Sequence, residues 1–213
     1  LLFEPMSGLA FGLCYHGLSE ARFTFPISAD LGPEFPIEVP LLDIRGVAQF
    51  DPLQISSDLT VWLLPDLLLA LGASWKQWSA FENPLQRTTP TVPEFDSADF
   101  SDVLVPRLGM EYTQRTSEFD LAYRAGGFYE PSPVGDQTGN NNYLDSDRLG
   151  LGIGLGMTWR GITADLGLQY QHLRERTHTK DAETVADSDN PGLPTLTNSG
   201  GVFVSVFELG ATF

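Results

Sequence analysis

Residues 147–160 read D-R-L-G-L-G-I-G-L-G-M-T-W-R. In an extended chain, Leu149, Leu151, Ile153, Leu155, Met157 and Trp159 share one face, and Gly150, Gly152, Gly154, Gly156 and Thr158 share the other. Successive side chains of a strand point to opposite faces, so alternation this strict predicts a β-strand. Its length exceeds the usual five or six residues of a soluble strand. A long strand, apolar on one side and glycine-rich on the other, suits a wall with lipid outside and a lumen inside.

Eight further segments read as strands: 7–16, 20–26, one within 44–63, 67–78, 103–113, 119–129, 163–173 and 202–213. Asp51-Pro52 predicts a bulge or break in the third, and Pro106 a bulge in a central strand. Gly17-Leu18-Ser19, Leu64-Pro65-Asp66, a polar turn near 116 and Arg160-Gly161 are short connections. The others are long: a Pro-rich loop with Pro33, Pro36 and Pro40, then 79–102, a loop holding Asn140-Asn141-Asn142, and a last loop rich in Asp, Thr and Pro. Short and long connections alternate throughout, as in an up-and-down barrel with short periplasmic turns and longer outer loops. Counting back from the C-terminus puts Leu1 near the outer side. An odd count with that start predicts residues 1–213 to be the C-terminal portion of one larger barrel domain.

Charge distribution agrees. The net charge is −16, which argues against nucleic acid and anionic membrane surfaces. Nearly all of it lies in the windows 27–43, 81–102, 130–147 and 176–199, leaving the strands close to neutral. Mean hydropathy is −0.08, and no apolar run is long enough for a spanning helix. A barrel escapes that test because only alternate residues meet lipid. One cysteine, Cys14, allows no internal disulfide.

Tyr15, Tyr112, Trp159, Tyr170 and Phe213 fall on the apolar faces, as a lipid-facing aromatic girdle requires. The terminal Phe213 resembles the signal read by the barrel-assembly machinery. Arg107, Glu111, Asp120, Arg124, Asp165 and Glu208 fall on the opposite faces and are predicted to line the lumen, where salt bridges between them compete with ligand contacts. A charge on the lipid side would cost about 2–4 kcal/mol for a basic residue near the midplane. Glu111 and Arg124 are possible cross-strand partners. Leu68, Phe128, Val202, Val204 and Val206 are apolar yet inward in this register, unlike a water-filled porin. His172 and His178 have no ligand pattern around them and read as solvated rim and loop residues. The oxygen-rich stretch 181–189 lacks calcium-loop spacing, and no metal or cofactor is expected. With no nucleophile elbow, phosphate loop or two-His motif, no enzyme is expected.

The run V-P-R-L-G-M-E-Y (105–112), then D-L-A-Y-R-A-G-G-F-Y-E-P-S-P-V (120–134), then Y-L-D-S-D-R (143–148), resembles the C-terminal part of FadL/TodX-type outer-membrane transporters. A-S-W-K-Q-W-S-A-F (73–81) resembles a strand end of that family. The resemblance covers roughly residues 55–213. It implies a monomeric barrel of about fourteen strands in the bacterial outer membrane, plugged by an N-terminal hatch that would precede Leu1. The implied activity is passive uptake of hydrophobic small molecules, long-chain fatty acids or aromatic hydrocarbons, past the outer lipid and lipopolysaccharide. A general diffusion porin or structural barrel, and a soluble all-β binding module, are the alternative readings.

Overall fold

The computed structural model describes residues 1–27, 42–82, 98–138, 142–181 and 194–212. These form eleven strands: β1 (Leu2–Met6), β2 (Leu9–His16), β3 (Ser19–Ile27), β4 (Leu42–Asp51), β5 (Gln54–Leu64), β6 (Leu67–Lys76), β7 (Val103–Arg115), β8 (Asp120–Glu130), β9 (Arg148–Trp159), β10 (Ile162–Thr179) and β11 (Thr195–Ala211). A single 3₁₀ turn, Trp78–Ala80, is the one helical element among the described residues. Nine strands make one antiparallel sheet in the order β1-β2-β5-β6-β7-β8-β9-β10-β11, and β3 and β4 pair separately. Among the described residues β1 and β11 pair on one side only, so the sheet is open.

Four tight turns lie at one end of the sheet, and the long connections lie at the other. The turn between β9 and β10 shows how local chemistry sets register. Arg160 and Gly161 both have positive φ, 49° and 82°, the pairing of dihedrals that matches the twist of a two-residue hairpin. The Arg160 guanidinium then rests 5.1 Å from the Trp159 ring centroid at the strand end.

The sheet also has nine strands, but they are not the nine expected. Residues 2–6 form an additional strand, paired with β2. The segment expected at 20–26 leaves the main sheet, and the one sought within 44–63 is two strands. Gly17-Leu18-Ser19 is no turn: the chain runs on from β2 into β3. His16 opposes Gln54, and Ser19 opposes Asp51 in the same register. One long hairpin is therefore interrupted at 17–18 and 52–53, where Pro52 has no N–H to give the ladder. The carbonyl of Leu53 instead accepts the Gln77 N–H at 2.9 Å.

Pro106 also differs from expectation, because it causes no bulge. Its pairing with Ala73 on β6 is regular. Thr113 N–H donates to the Asp66 carbonyl at 2.8 Å, so odd residues of β7 turn their amides to β6 and even ones to β8. The missing donor of Pro106 faces β8, and that ladder ends one residue short of it, at Arg107 opposite Phe128. Strands β10 and β11 extend well beyond the expected 163–173 and 202–213 on the long-loop side, with β11 starting at Thr195.

Buried side chains concentrate at that end. Val103, Val105, Ser56, Ser74, Val134, Ser146 and His178 are all buried there, under the connections that follow β6 and β8. Ser101 N–H joins the two connections by donating to the Pro133 carbonyl at 2.9 Å. Phe50, Trp78, Phe81, Phe100 and Tyr143 form one aromatic cluster in which Phe81 and Phe100 stack at 4.7 Å. Elsewhere the sheet is one layer with two chemically different faces.

Candidate functional site: a two-faced sheet with ion pairs laid over glycines

The register sorts every strand of the large sheet. One face carries Tyr15, Ile55, Leu71, Leu108, Met110, Tyr112, Leu149, Leu151, Ile153, Leu155, Trp159, Leu166, Tyr170, Phe203, Phe207 and Leu209. All of these are more than one-third exposed, Ile153 by 64% and Phe207 by 65%. An apolar surface continuous across nine strands far exceeds what a soluble protein leaves to water. Phe213 lies outside the described residues, as do Pro33, Pro36, Pro40 and residues 182–189 of the acidic stretch.

The opposite face carries Arg107, Glu111, Asp120, Arg124, Asp165 and Glu208, together with Leu68, Phe128, Val202, Val204 and Val206. Glycine makes two ion pairs possible on this face. Asp58 on β5 and Arg107 on β7 are two strands apart, roughly 10 Å at ordinary strand spacing. Gly72 lies between them in the same row. A Cβ at Gly72 would occupy the space of Asp58 Oδ1 and press on the guanidinium. Without it, Arg107 Nη2 donates to Asp58 Oδ1 at 3.1 Å and Nη1 to Ser74 Oγ at 2.6 Å. Ser74 also shares a 2.7 Å hydrogen bond with Ser56, which accepts from Gln54 Nε2 at 2.8 Å.

The second arrangement repeats the first around Arg124. Its Nε donates to Glu111 Oε2 at 2.6 Å, directly across from it in the register. Its Nη1 reaches Asp165 on β10 by passing over Gly156 of β9. Asp120 and Glu208 lie on the same face, and neither bonds to this trio. Glu208 stands directly opposite Asp165, an unfavourable like-charge pair that leaves carboxylates in excess. Between the two arginines is a hollow of about 580 Å³ lined by Gly109, Gly126, Phe128, Gly154, Val204 and Val206, among others. Phe128 lies over Gly150 of the neighbouring strand, where a Cβ would overlap its ring.

Sequence reasoning missed Asp58 and Ser74, the partners of Arg107. The signal was the alternation Ser56, Asp58, Thr60, hidden by the unresolved boundary between β4 and β5. His178 is a correction: it is 2% exposed, not solvated. Its Nδ1 accepts the Gln137 N–H at 3.1 Å, and its Nε2 has no partner among the described residues. Burial, helped by Arg176, holds its pKa below the usual imidazole value. Asp147 ties the same cap together. It accepts from Ser132 N–H at 2.9 Å and Tyr129 O–H at 2.7 Å, and faces Arg174. The Ser132 amide above all keeps this carboxyl below its ordinary pKa. His172 is exposed on the apolar face. Among the described residues, no group of three or more His, Cys, Asp or Glu is disposed to hold a metal ion.

Comparison with known proteins agrees with this architecture. The family model described as Outer membrane protein transport protein (OMPP1/FadL/TodX) matches residues 54–209. Alkane uptake protein A of Marinobacter nauticus is 37% identical over 125 residues, covering 51% of this chain and 26% of that protein. The crystal structure of a Pseudomonas aeruginosa FadL homologue superposes with a TM-score of 0.68 at 17% identity, over 99% of this chain and 50% of that one. The CymD monoaromatic hydrocarbon channel superposes with a TM-score of 0.54 at 12% identity, over 99% of this chain and 49% of that one. At these identities the two structures speak for the fold, an all-β sheet of the kind found in FadL-type barrels. The chain spans about half the length of the structures and about a quarter of the curated relative.

Proposed function

The chain belongs to the OMPP1/FadL/TodX family of outer membrane transport proteins, and from that premise we propose that it forms the C-terminal wall of a barrel for passive uptake of hydrophobic compounds. In this reading residues 1–213 are part of one barrel domain whose hatch and early strands lie elsewhere in the protein. The Leu149–Trp159 side touches acyl chains, with Tyr15, Tyr112, Trp159 and Tyr170 at its margins. The side bearing Arg107 and Arg124 looks into the lumen. The tight turns are periplasmic, and the capped end faces outward into lipopolysaccharide. In the same reading the protein is a monomer, and the barrel-assembly machinery recognises it through β11.

One observation supports the uptake reading most. A face that carries ion pairs also carries Leu68, Phe128, Val202, Val204 and Val206, with a hollow beside the last two. Apolar walls with a few fixed polar groups are what ligand pockets use, whereas a diffusion porin has a polar, water-filled lumen. The cargo class is hydrophobic: long-chain fatty acids or aromatic hydrocarbons, and alkanes by analogy with the Marinobacter relative. The route carries such molecules past a charged outer leaflet that slows their entry.

The test is uptake of radiolabelled apolar compounds by cells with and without the full-length protein, alongside conductance in planar bilayers. Uptake that depends on the protein, with only small or rare ion currents, is the expected result. Large stable channels with no protein-dependent uptake would overturn the proposal.

A further inference from the structure

We propose that this wall selects uncharged apolar solutes over long-chain carboxylates, because its inward arginines are already neutralised by carboxylates held in the wall itself. The inference rests on the uptake reading above and narrows its substrate class. To hold a carboxylate head group in an apolar lumen, a protein needs a cation with N–H groups to spare. Strands β5–β9 turn five cations inward, and each has an acidic partner. Arg107 is bonded to Asp58 and Ser74, and Arg124 to Glu111 and Asp165. Lys76 donates to Glu130 at 2.5 Å, Arg148 to Asp145 at 3.1 Å, and Arg115 stands 2.8 Å from Asp66.

The glycines show that these pairings are built in. Gly72 and Gly156 leave open the space in which Arg107 meets Asp58 and Arg124 meets Asp165 across an intervening strand. Around Arg124 the balance goes beyond neutral, since Glu111 and Asp165 share one guanidinium and Glu208 stands opposite Asp165 in the register. A carboxylate entering the hollow meets like charge and would have to displace an internal partner. A neutral chain meets Phe128, Val204 and Val206 and disturbs no ion pair. Discrimination of this kind works by repelling the wrong ligand.

The test compares tritiated palmitate with hexadecanol, equal in chain length and different in charge, binding to the full-length protein in detergent. The palmitate-to-hexadecanol affinity ratio is expected to be about one-tenth or lower in the native protein. In E111Q/D165N, Arg124 keeps its charge with no carboxylate bonded to it, and the ratio rises about tenfold, as expected for a new charge-assisted hydrogen bond. D58N, which frees Arg107 instead, shifts the ratio the same way and serves if the double variant does not fold. Equal affinities in the native protein, or ratios unmoved in the variants, overturn the proposal. If neither ligand binds the native protein, the uptake reading itself falls, and the charge rule with it.

Discussion

Valine at Gly156 tests whether glycine on this wall makes room for charge. A Cβ at that position would stand 2.5 Å from Asp165 Oδ1 and 2.9 Å from Arg124 Nη1, closer than carbon tolerates. The pair must separate or the strands must shift. A hydrogen bond to a charged group is worth about 1.5–3 kcal/mol when buried. Here Arg124 is 43% exposed and Asp165 37%, and screening at such exposure reduces the loss to about 1 kcal/mol. Crowding adds about 1 kcal/mol more, at the lower end of overpacking costs. Gly167 on the same face is the control, because nothing lies within 4 Å of a Cβ built there. Valine at that site is expected to be neutral or to stabilise by up to about 1 kcal/mol through strand propensity. Gly156→Val and Gly167→Val should therefore differ by about 2–3 kcal/mol in reversible urea unfolding of the full-length protein from lipid vesicles, followed by tryptophan fluorescence. In an Asp165→Ala background the cost of Gly156→Val should fall by about 1 kcal/mol, the coupling expected of residues in contact. Equal stabilities of the two valine variants would refute the reasoning.

Two other outcomes follow from the same geometry. Gly150→Val must displace the Phe128 ring that lies over it, costing about 1–3 kcal/mol and lowering hydrocarbon uptake in the cell assay. The cap at the long-loop end should loosen in acid in two stages, read as protease cutting in the long loops. His178 has a folded pKa below its unfolded value, so its neutral form stabilises the cap above about pH 6.5 and that contribution fades as pH falls below it. The carboxylate of Asp147, also lowered, stabilises above about pH 4 and is lost only below that value. His178→Gln should remove the first stage and keep the second.

How much of this was legible in the sequence depended on how far a period of two ran without interruption. From Leu149 to Trp159 nothing breaks it, so parity alone tells which side chains share a face, and the flanking strands follow from their own alternation. Between Ile44 and Leu64 the period is interrupted at Pro52, and two strands of one continued hairpin merge into an irregular segment. That ambiguity hid the face of Asp58, and with it the partner of Arg107. Glycine's role was half visible. The sequence showed small residues on one face of β9, but only the packing shows that Phe128 and the Arg124–Asp165 pair, contributed by its neighbours, lie across them. His178 illustrates another limit: burial in a loop cap depends on contacts far apart in sequence, here with Gln137, and no local pattern announces it.

Which side of β9 meets lipid decides whether the arginine-bearing face can line a lumen. Single cysteines at positions 151 to 156, in full-length protein with Cys14 replaced by Ser, can carry spin labels whose exposure to oxygen and to a water-soluble nickel complex is measured in vesicles. The prediction is that 151, 153 and 155 favour oxygen and that 152, 154 and 156 favour nickel. A profile without that alternation, or with its sense reversed, would contradict the account.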